Sequence, residues 1–175
     1  MESEKRQPVR AGQFYPDGAA CAAEAEALLA AAPRHEFASP VRGAIVPHAG
    51  WAYSGALAAE GIAALCATLV ETVVIFAADH TGAPAGGAMW PSGTWQTPAG
   101  DLAVDSELAA EILAASPRLV ADCQPHRHEH SIEVLLPLLK FAAPDAKIVP
   151  IIVPPHPASL ELGEAVGRVI AGREG

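Results

Sequence analysis

Segments with strand-like and helix-like hydrophobic patterns alternate along the chain. Short runs of β-branched apolar residues are typical of buried strands, and apolar residues spaced three or four positions apart are typical of amphipathic helices. On these patterns we predict strands at residues 43–46, 72–78, 118–121 and 147–153. We predict helices at 17–32, 54–69, 105–115, 130–141 and 158–170, with a hairpin-like excursion at 83–104. This order favours an α/β sandwich with a largely parallel sheet and one domain over residues 1–175.

Single residues refine these boundaries. Asp17, Ser54 and Asp105 stand at predicted helix starts, where their side chains can accept hydrogen bonds from free backbone N–H groups. Pro137 either kinks its helix or marks a new start, because proline lacks a backbone N–H. Pro150 interrupts the last strand and indicates an edge position or a bulge.

Composition narrows the class of partner. The 175 residues carry 11 Lys and Arg against 20 Asp and Glu, a net charge of −9, and the basic residues form no cluster. This balance argues against nucleic-acid binding. No apolar run approaches the roughly 18–20 residues that cross a bilayer, and the first residues do not resemble a signal peptide, so we expect a cytoplasmic protein. Cys21, Cys66 and Cys123 form no CxxC pair, which predicts reduced, mostly buried thiols.

Two histidines directly follow predicted strands. His48 lies in the segment Pro-His-Ala-Gly, and His80 lies in Asp-His-Thr-Gly. Ligands collect at the carboxyl ends of parallel strands, and the ends of neighbouring strands lie roughly 5–10 Å apart. Two neutral imidazoles at that separation can share one divalent metal ion. The alternative is a pair of unrelated loop histidines, each hydrogen-bonded to backbone.

Three further histidines alternate at positions 126, 128 and 130. Such a run is either part of a metal site or one functional imidazole with two solvated neighbours. We favour the second interpretation, because Arg127 and Glu129 make the segment look exposed. His130 is the strongest candidate, since Glu133 shares its helical face. Glu133 can orient His130, act as a ligand or base, or simply cap the helix.

The remaining candidates are aromatic residues and isolated histidines. Phe14 and Tyr15 form an aromatic pair suited to core or lid packing, and Trp51 and Tyr53 flank His48 closely enough to line a pocket. His35 and His156 stand alone in proline-rich connections, where we expect them to be solvated. Motifs for phosphate or dinucleotide binding are lacking, so phosphoryl and dinucleotide chemistry has no support.

Five motifs in order connect the chain to a known family. They are VRAGQFYP at 9–16, AIVPHAGWAYSG at 44–55, DHTG at 79–82, WQTPAGD at 95–101 and EHSIEVLLP at 129–137. Together they resemble the MEMO-like family, whose prokaryotic members are called AmmeMemoRadiSam system protein B. That family is similar to the class III extradiol ring-cleaving dioxygenases, which have the LigB-like fold.

The resemblance implies a three-layer α/β sandwich with a mostly parallel or mixed central sheet. It implies that His48 and His80 are metal ligands, with Fe(II) as the expected ion and Cu or Zn as alternatives. His130 is expected to move a proton at the centre, assisted by Glu133. The aromatic candidates are expected to contact substrate; they are Phe14, Tyr15, Trp51 and Tyr53.

Members of that family continue past the last motif found here. Their third metal ligand, a Cys in MEMO proteins and a Glu or His in the dioxygenases, lies in that continuation. The sequence therefore suggests a C-terminally shortened form of the fold, which is a fragment, a truncated natural form or a chain that recruits a ligand from elsewhere. Cys123, His128 and Glu133 are the local candidates for a replacement ligand.

Three functions follow from these residues. The first is a metal-binding, dioxygenase-like protein that acts on a small molecule. The second is a metal-dependent hydrolase that uses the same site. The third is a non-enzymatic module that binds a peptide or small ligand in the cleft. A sheet that ends early leaves an open edge, so we also expect a second copy or a partner chain to cover it.

Overall fold

A four-stranded mixed sheet lies at the centre of the fold. The computed structural model describes residues 4–173. Its central sheet contains the strands β2 (Thr72–Ala78), β3 (Ala88–Met89), β6 (Val120–Ala121) and β7 (Lys147–Val153). Their spatial order is β2-β7-β3-β6, with β7 parallel to β2 and antiparallel to β3. The predictions of an α/β class and a mixed sheet are confirmed.

A second, smaller sheet packs beside the first. It is formed by β1 (Lys5–Arg6), β4 (Thr94–Trp95) and β5 (Leu102–Ala103), in the order β1-β4-β5. The antiparallel pair β4–β5 is the hairpin within the predicted excursion at 83–104. The other strand of that excursion, β3, joins the central sheet instead.

Five helices form among the described residues. They are α1 (Gly18–Ala31), α2 (Trp51–Leu65), α3 (Ser106–Ala115), α4 (Leu136–Ala142) and α5 (Ala158–Gly172). Of these, α3 and α5 lie on one face of the central sheet and α4 on the other. Val149 and Ile151 of β7 pack against α3 and α5. Ile148 and Ile152 point the other way, towards α4 and the smaller sheet. This alternation is the period-2 pattern of a strand buried on both faces.

Helix boundaries follow capping and proline chemistry, with one correction. The Asp17 and Asp105 side chains cap α1 and α3 as predicted. Pro137 stands in the first turn of α4, so it marks a helix start. The predicted cap at Ser54 is wrong, because α2 begins at Trp51 and Gly50 precedes it. The Trp51 N–H donates to the carbonyl of Phe14 over 2.7 Å, which starts the helix three residues early.

The prediction that Pro150 marks an edge or a bulge is also wrong. Strand β7 is central, and Pro150 pairs in register with Ile75. Its carbonyl accepts a hydrogen bond from the N–H of Trp90, just past the end of the short strand β3. The missing N–H falls on the side of β7 that faces β3, and the ladder with β3 ends there, at Met89, so proline costs β7 none of its bonds to β2.

The predicted strand at 43–46 does not form. The segment is irregular, and Ile45 is fully exposed. β2, whose run of apolar residues is typical of an interior parallel strand, lies at the edge of its sheet. The two segments are separated by a cavity and form no ladder with each other among residues 4–173. Apolar β-branched residues therefore favoured a strand at 43–46, but no partner strand supplies its hydrogen bonds.

Two sequence-based expectations extend to residues outside 4–173. The single-domain prediction covers 1–175, and the absence of a signal peptide rests partly on residues 1–3, so both stay predictions. Within the part of the chain that the structure describes, we find no helix long and apolar enough to span a bilayer.

Candidate metal centre

Three histidines from separate segments meet at one end of β2. The ring centroid of His48 lies 5.5 Å from that of His80 and 6.0 Å from that of His130, and the last two rings stack at 4.8 Å. One nitrogen from each ring can be chosen so that all three lie within 4.8 Å of one another. The predicted proximity of His48 and His80 is therefore observed, although one of the two expected strands is missing.

His80 follows the carboxyl end of β2 and is held by Glu129. The backbone N–H of His80 donates to Glu129 Oε2 over 2.6 Å, and its ring Nδ1 lies 2.9 Å from Glu129 Oε1. Because an ionised carboxylate can only accept, the proton of the neutral ring lies on Nδ1, and this tautomer leaves the lone pair on Nε2. Buried carboxylates orient metal-binding imidazoles in this way.

Glu129 is almost completely buried and ionised. Burial acts to raise its pKa, but hydrogen bonds from the His80 side chain and from backbone N–H groups outweigh this and lower the pKa to about 2. The backbone donors include His130 at 2.7 Å and Ser131 at 3.0 Å. One carboxylate thus fixes two histidines of the centre. The expectation that Glu129 marks an exposed segment is wrong, because these donors compensate for its burial.

His130 lies where the chain turns towards α4. The Ser131 hydroxyl donates to the carbonyl of Ala78, the last residue of β2, which fastens this turn to the strand. Burial lowers the pKa of His130, and the negative charge of Glu129 acts in the opposite direction. The neighbouring histidines and Arg10 add to the lowering. The ring is therefore neutral near pH 7 and can accept a proton or a metal ion.

His48 lies in the turn that enters α2. A Cβ atom at Gly50 would lie 3.3 Å from the carbonyl oxygen of Phe14, so glycine permits the close approach of the two segments. The same carbonyl accepts the N–H of Trp51. Phe14 in turn meets the His130 ring edge-on, with centroids 4.9 Å apart.

A pocket of about 470 Å³ opens beside the histidines. Its lining residues are Gln13, Phe14, His48, Ala49, Gly50, Tyr53 and His130. Of the four aromatic candidates, only Phe14 and Tyr53 line it. Tyr15 and Trp51 belong to the core, where Tyr15 donates to Glu133 and the Trp51 indole donates to the carbonyl of Val134. A substrate contact for Tyr15 or Trp51 therefore has no support from these positions.

Glu133 is fully buried and holds the amino-terminal segment. Its carboxylate pairs with Arg6 Nη1 at 2.6 Å and accepts the Tyr15 hydroxyl at 2.8 Å. It also accepts the backbone N–H groups of Val9 and Arg10. These contacts assign Glu133 a structural task, and its catalytic role stays a prediction that they do not support.

The other two histidines of the alternating run lie apart from the centre. His126 is fully buried near Trp90 and Trp95, which corrects the expectation that it is solvated. Burial lowers its pKa to about 4, so this imidazole is neutral. His128 is exposed as expected. The three alternating histidines therefore lie in three different environments.

The remaining candidates also lie outside the histidine group. His35 is partly exposed and pairs with Glu60 at 2.6 Å, while His156 is exposed and its ring accepts the N–H of Ala158. Cys123, His128 and Glu133, the local candidates for a replacement ligand, are not part of the cluster of potential metal ligands found among the described residues. All three cysteines are free, and Cys21 is buried.

The donor set fits a divalent metal ion. Imidazole nitrogen is a preferred ligand of Fe, Cu and Zn, whereas Mg²⁺ and Ca²⁺ prefer oxygen. A tetrahedral ion with bonds of about 2.0–2.1 Å needs ligand atoms about 3.3 Å apart. The chosen nitrogens of His48 and His80, no more than 4.8 Å apart, reach that spacing through shifts of about 1 Å.

Sequence reasoning missed Glu129 as part of the site. The available signal was an acidic residue directly before a histidine at the start of a helical segment. A carboxylate there can accept the free N–H groups of the first turn. The second contact of Glu129 joins it to His80, 49 positions earlier in the chain, and therefore depends on tertiary structure.

Comparison with known proteins agrees with the resemblance that the five sequence motifs indicate. The sequence profile of the family described as Memo-like protein matches residues 6–174. A MEMO1 family protein from Pyrococcus abyssi is 36% identical over 170 residues, which cover 94% of this chain and 58% of the relative. A MEMO1 family protein from Thermococcus onnurineus is 38% identical over 151 residues, or 83% of this chain and 52% of the relative.

A third relative is likewise much longer than the region that matches this chain. The MEMO1 family protein from Nitrosopumilus maritimus is 35% identical over 175 residues, which cover 95% of this chain and 62% of that protein. The chain thus spans between about half and two thirds of the length of these curated relatives. With the family profile covering nearly every residue, the chain belongs to the Memo-like protein family.

Proposed function

We propose that the chain binds a divalent metal ion, with Fe(II) as the first candidate. The chain uses this ion for dioxygenase-type chemistry on a small aromatic substrate. The observation that carries this proposal is the group formed by His48, His80 and His130. One ring nitrogen of each lies within 4.8 Å of the other two, so His130 stands beside an ion held by His48 and His80. The adjacent pocket of about 470 Å³ offers room for a small ligand. The motif resemblance to extradiol dioxygenases supplies the reaction class.

Each residue has a distinct task in this proposal. His48 and His80 hold the ion, and Glu129 keeps the Nε2 atom of His80 available for it. Fe(II) held there would supply a redox-active Lewis acid for the reaction of O₂ with a catechol-type ring. His130 accepts the proton of a substrate hydroxyl, for which its neutral form is required. Phe14 packs edge-on against His130, orients that ring and excludes water from it.

Metal titration tests the binding step. The wild-type chain is titrated anaerobically with Fe(II), and we expect one ion per chain. His48→Ala and His80→Ala should each lose stoichiometric binding, since two ligand nitrogens must act together. His128→Ala is the matched control, because His128 is an exposed histidine of the same run as His130 and lies outside the cluster. Equal binding by wild type and the His48 variant would refute the site.

His130→Ala separates proton transfer from metal binding. With His130 outside the coordination sphere, this variant retains Fe(II) within about tenfold of the wild-type affinity but loses turnover. Loss of stoichiometric Fe(II) binding would instead make His130 a ligand and would contradict the task assigned to it.

Oxygen consumption tests the reaction class. We expect the Fe(II)-loaded chain to consume O₂ in the presence of a panel of catechols and to give ring-opened, yellow-coloured products. Metal binding without O₂ consumption would contradict the dioxygenase proposal. Ester or amide hydrolysis by the loaded chain would then favour the hydrolase, and ligand binding without turnover would favour the non-enzymatic module.

A further inference from the structure

A long apolar groove runs along the free edge of β2. Its volume is about 920 Å³. One wall is the whole of β2, and the other is the irregular segment 40–46. The position of this second wall is fixed by Val46, which packs so closely on α2 that a side chain at Gly61 would clash with it.

Helices close the groove above and below. Ile62 and Leu65 of α2 and Leu139 of α4 line one face, and Leu108 of α3 and Ile170 of α5 line the other. An interior strand of an α/β sandwich has this environment, with helices on both faces and a strand at each side. The groove therefore has the surroundings of a sheet position.

Side-chain burial in β2 agrees with a missing neighbour. Residues 148–152 of β7 are fully buried, whereas none of the seven residues of β2 is, although β2 is equally apolar. Phe76 remains 43% exposed, and Ile45 on the opposite wall is fully exposed. An edge that leaves such side chains in contact with water gains stability when another strand covers it.

The backbone of β2 also presents unpaired groups to the groove. The Glu71 carbonyl accepts the N–H of Lys147, so Val73, Ile75 and Ala77 bond to β7 in the alternating parallel pattern. The N–H and C=O groups of Val74 and Phe76 therefore point into the groove. These four groups form a template for one more strand.

The dimensions of the groove match a single strand. A strand of six residues is roughly 20 Å long, and it fills a slab about 4.8 Å wide and 10 Å thick between two layers, or about 950 Å³. The observed cavity of about 920 Å³ is of the same order and therefore has room for such a strand. A helix, about 10 Å across, is too wide for a gap between two sheet neighbours.

We propose that the groove receives one apolar β-strand of about six residues, supplied by the portion of the Memo-like polypeptide that the curated relatives have outside the region matched here. Those relatives are long enough to provide it, because the match covers only 52–62% of their length. Backbone bonds to Val74 and Phe76 give this strand its affinity, and the apolar walls select its side chains. The proposal does not depend on metal binding or turnover.

Co-expression tests the proposal. This chain is produced together with the unmatched portion of the Pyrococcus abyssi relative as a separate polypeptide, and we expect a one-to-one complex. Ile45→Asp should weaken the complex by at least tenfold, because the carboxylate would be buried without a partner. Ile45 is fully exposed in the chain alone, so circular dichroism and the melting temperature of the variant should equal those of the wild type. Leu160→Asp is the matched control, an exposed apolar residue on α5 away from the groove.

Hydrogen exchange locates the contact. In the complex we expect the amides of Val74 and Phe76 to exchange at least about tenfold more slowly, while those of Val73 and Ile75, already bonded to β7, change less. Absence of a complex overturns the proposal. So does a complex that Ile45→Asp leaves intact and in which Val74 and Phe76 exchange as before. A dimer of this chain alone that protects the same two amides would make a second copy the occupant and would equally overturn it.

Discussion

Glu129 and Glu133 are both buried carboxylates, yet their hydrogen bonds assign them different tasks. Glu129 faces the ring of His80 and the N–H groups that precede α4, so it orients the centre. Glu133, four positions later, pairs with Arg6 and accepts hydrogen bonds from backbone N–H groups of the amino-terminal segment. In each case burial is compensated by several donors, which is the condition for an ionised group inside a protein.

Removing the charge of Glu129 should weaken metal binding. Glu129→Gln loses the carboxylate that fixes the ring of His80, and loss of such an orienting partner typically costs 10–100-fold in affinity. Anaerobic titration with Fe(II) measures this. Glu60→Gln is the control, because Glu60 also pairs with a histidine, His35, but at a distant surface position. Equal affinities for wild type and Glu129→Gln would show that this carboxylate does not prepare the site.

Removing the charge of Glu133 should destabilise the fold. Glu133→Gln leaves the buried Arg6 guanidinium without its counter-charge, and breaking a buried pair costs about 3–5 kcal/mol in the free energy of unfolding. Urea denaturation followed by circular dichroism measures the loss. The exposed pair of Arg168 and Glu164 provides the comparison, since Glu164→Gln should cost less than about 1 kcal/mol. Similar losses for the two variants would contradict the structural task given to Glu133.

At the scale of elements, β2 and β7 anchor the fold, and Asp105 connects them to α3. Its side chain accepts the N–H of Leu108 at 3.0 Å and the Thr72 hydroxyl at 2.7 Å. Its own N–H donates to the carbonyl of Ile148 in β7. One helix cap therefore also joins the amino ends of both parallel strands, and the elements depend on each other through it.

Stability should depend on the ionisation of Asp105. Burial acts to raise its pKa, but the hydrogen bonds from Leu108 and Thr72, together with nearby Lys147, bring the net pKa below the usual 3.8. Because the folded-state pKa is lowered, the stabilisation is complete above the unfolded-state value and is lost as pH falls through the folded-state value. Asp105→Ala should cost about 1–2 kcal/mol at pH 7, and less below pH 3.8.

Urea denaturation at several pH values checks this expectation. The exposed cap Asp17, whose side chain accepts the N–H of the neighbouring Gly18, serves as the control. Asp17→Ala should cost about 0.5 kcal/mol at pH 7. A cost for Asp105→Ala that stays constant down to pH 2 would refute the contribution of its charge.

At the scale of the whole molecule, the three histidines come from segments that do not otherwise form a continuous element. His48 enters α2, His80 leaves β2, and His130 precedes α4. A metal ion bound to His48 and His80 would tie the irregular segment before α2 to the central sheet. Binding and folding should therefore be linked.

Metal should raise the melting temperature. At free Fe(II) of about 100 times its dissociation constant, the folded state gains about 2.7 kcal/mol. For a chain of this size that corresponds to roughly 5–10 °C. Anaerobic calorimetry with and without a chelator measures the shift, which His48→Ala should abolish and His128→Ala should preserve. An unchanged melting temperature at saturating Fe(II) would contradict the linkage.

The alternation of strands and helices, the caps at Asp17 and Asp105, and the candidates His48, His80 and His130 were all accessible from the sequence. They follow from local rules, because hydrophobic period, capping and the position after a strand depend on residues close in the chain. The boundary of α2 was not accessible, because the hydrogen bond from Trp51 to Phe14 joins residues 37 positions apart. Burial of His126 beneath two tryptophans depends on equally distant contacts.

The sequence by itself determined the α/β class, the family motifs and the histidines that can hold a metal. Tertiary structure alone decided that β7 is central despite Pro150, that segment 43–46 lacks a strand partner, and that Glu129, rather than Glu133, faces the histidines. The physical reason is that strand pairing and the compensation of buried charge both require partners from distant positions. A periodic pattern shows that a segment can be buried or paired, and only the fold supplies the groups that bury and pair it.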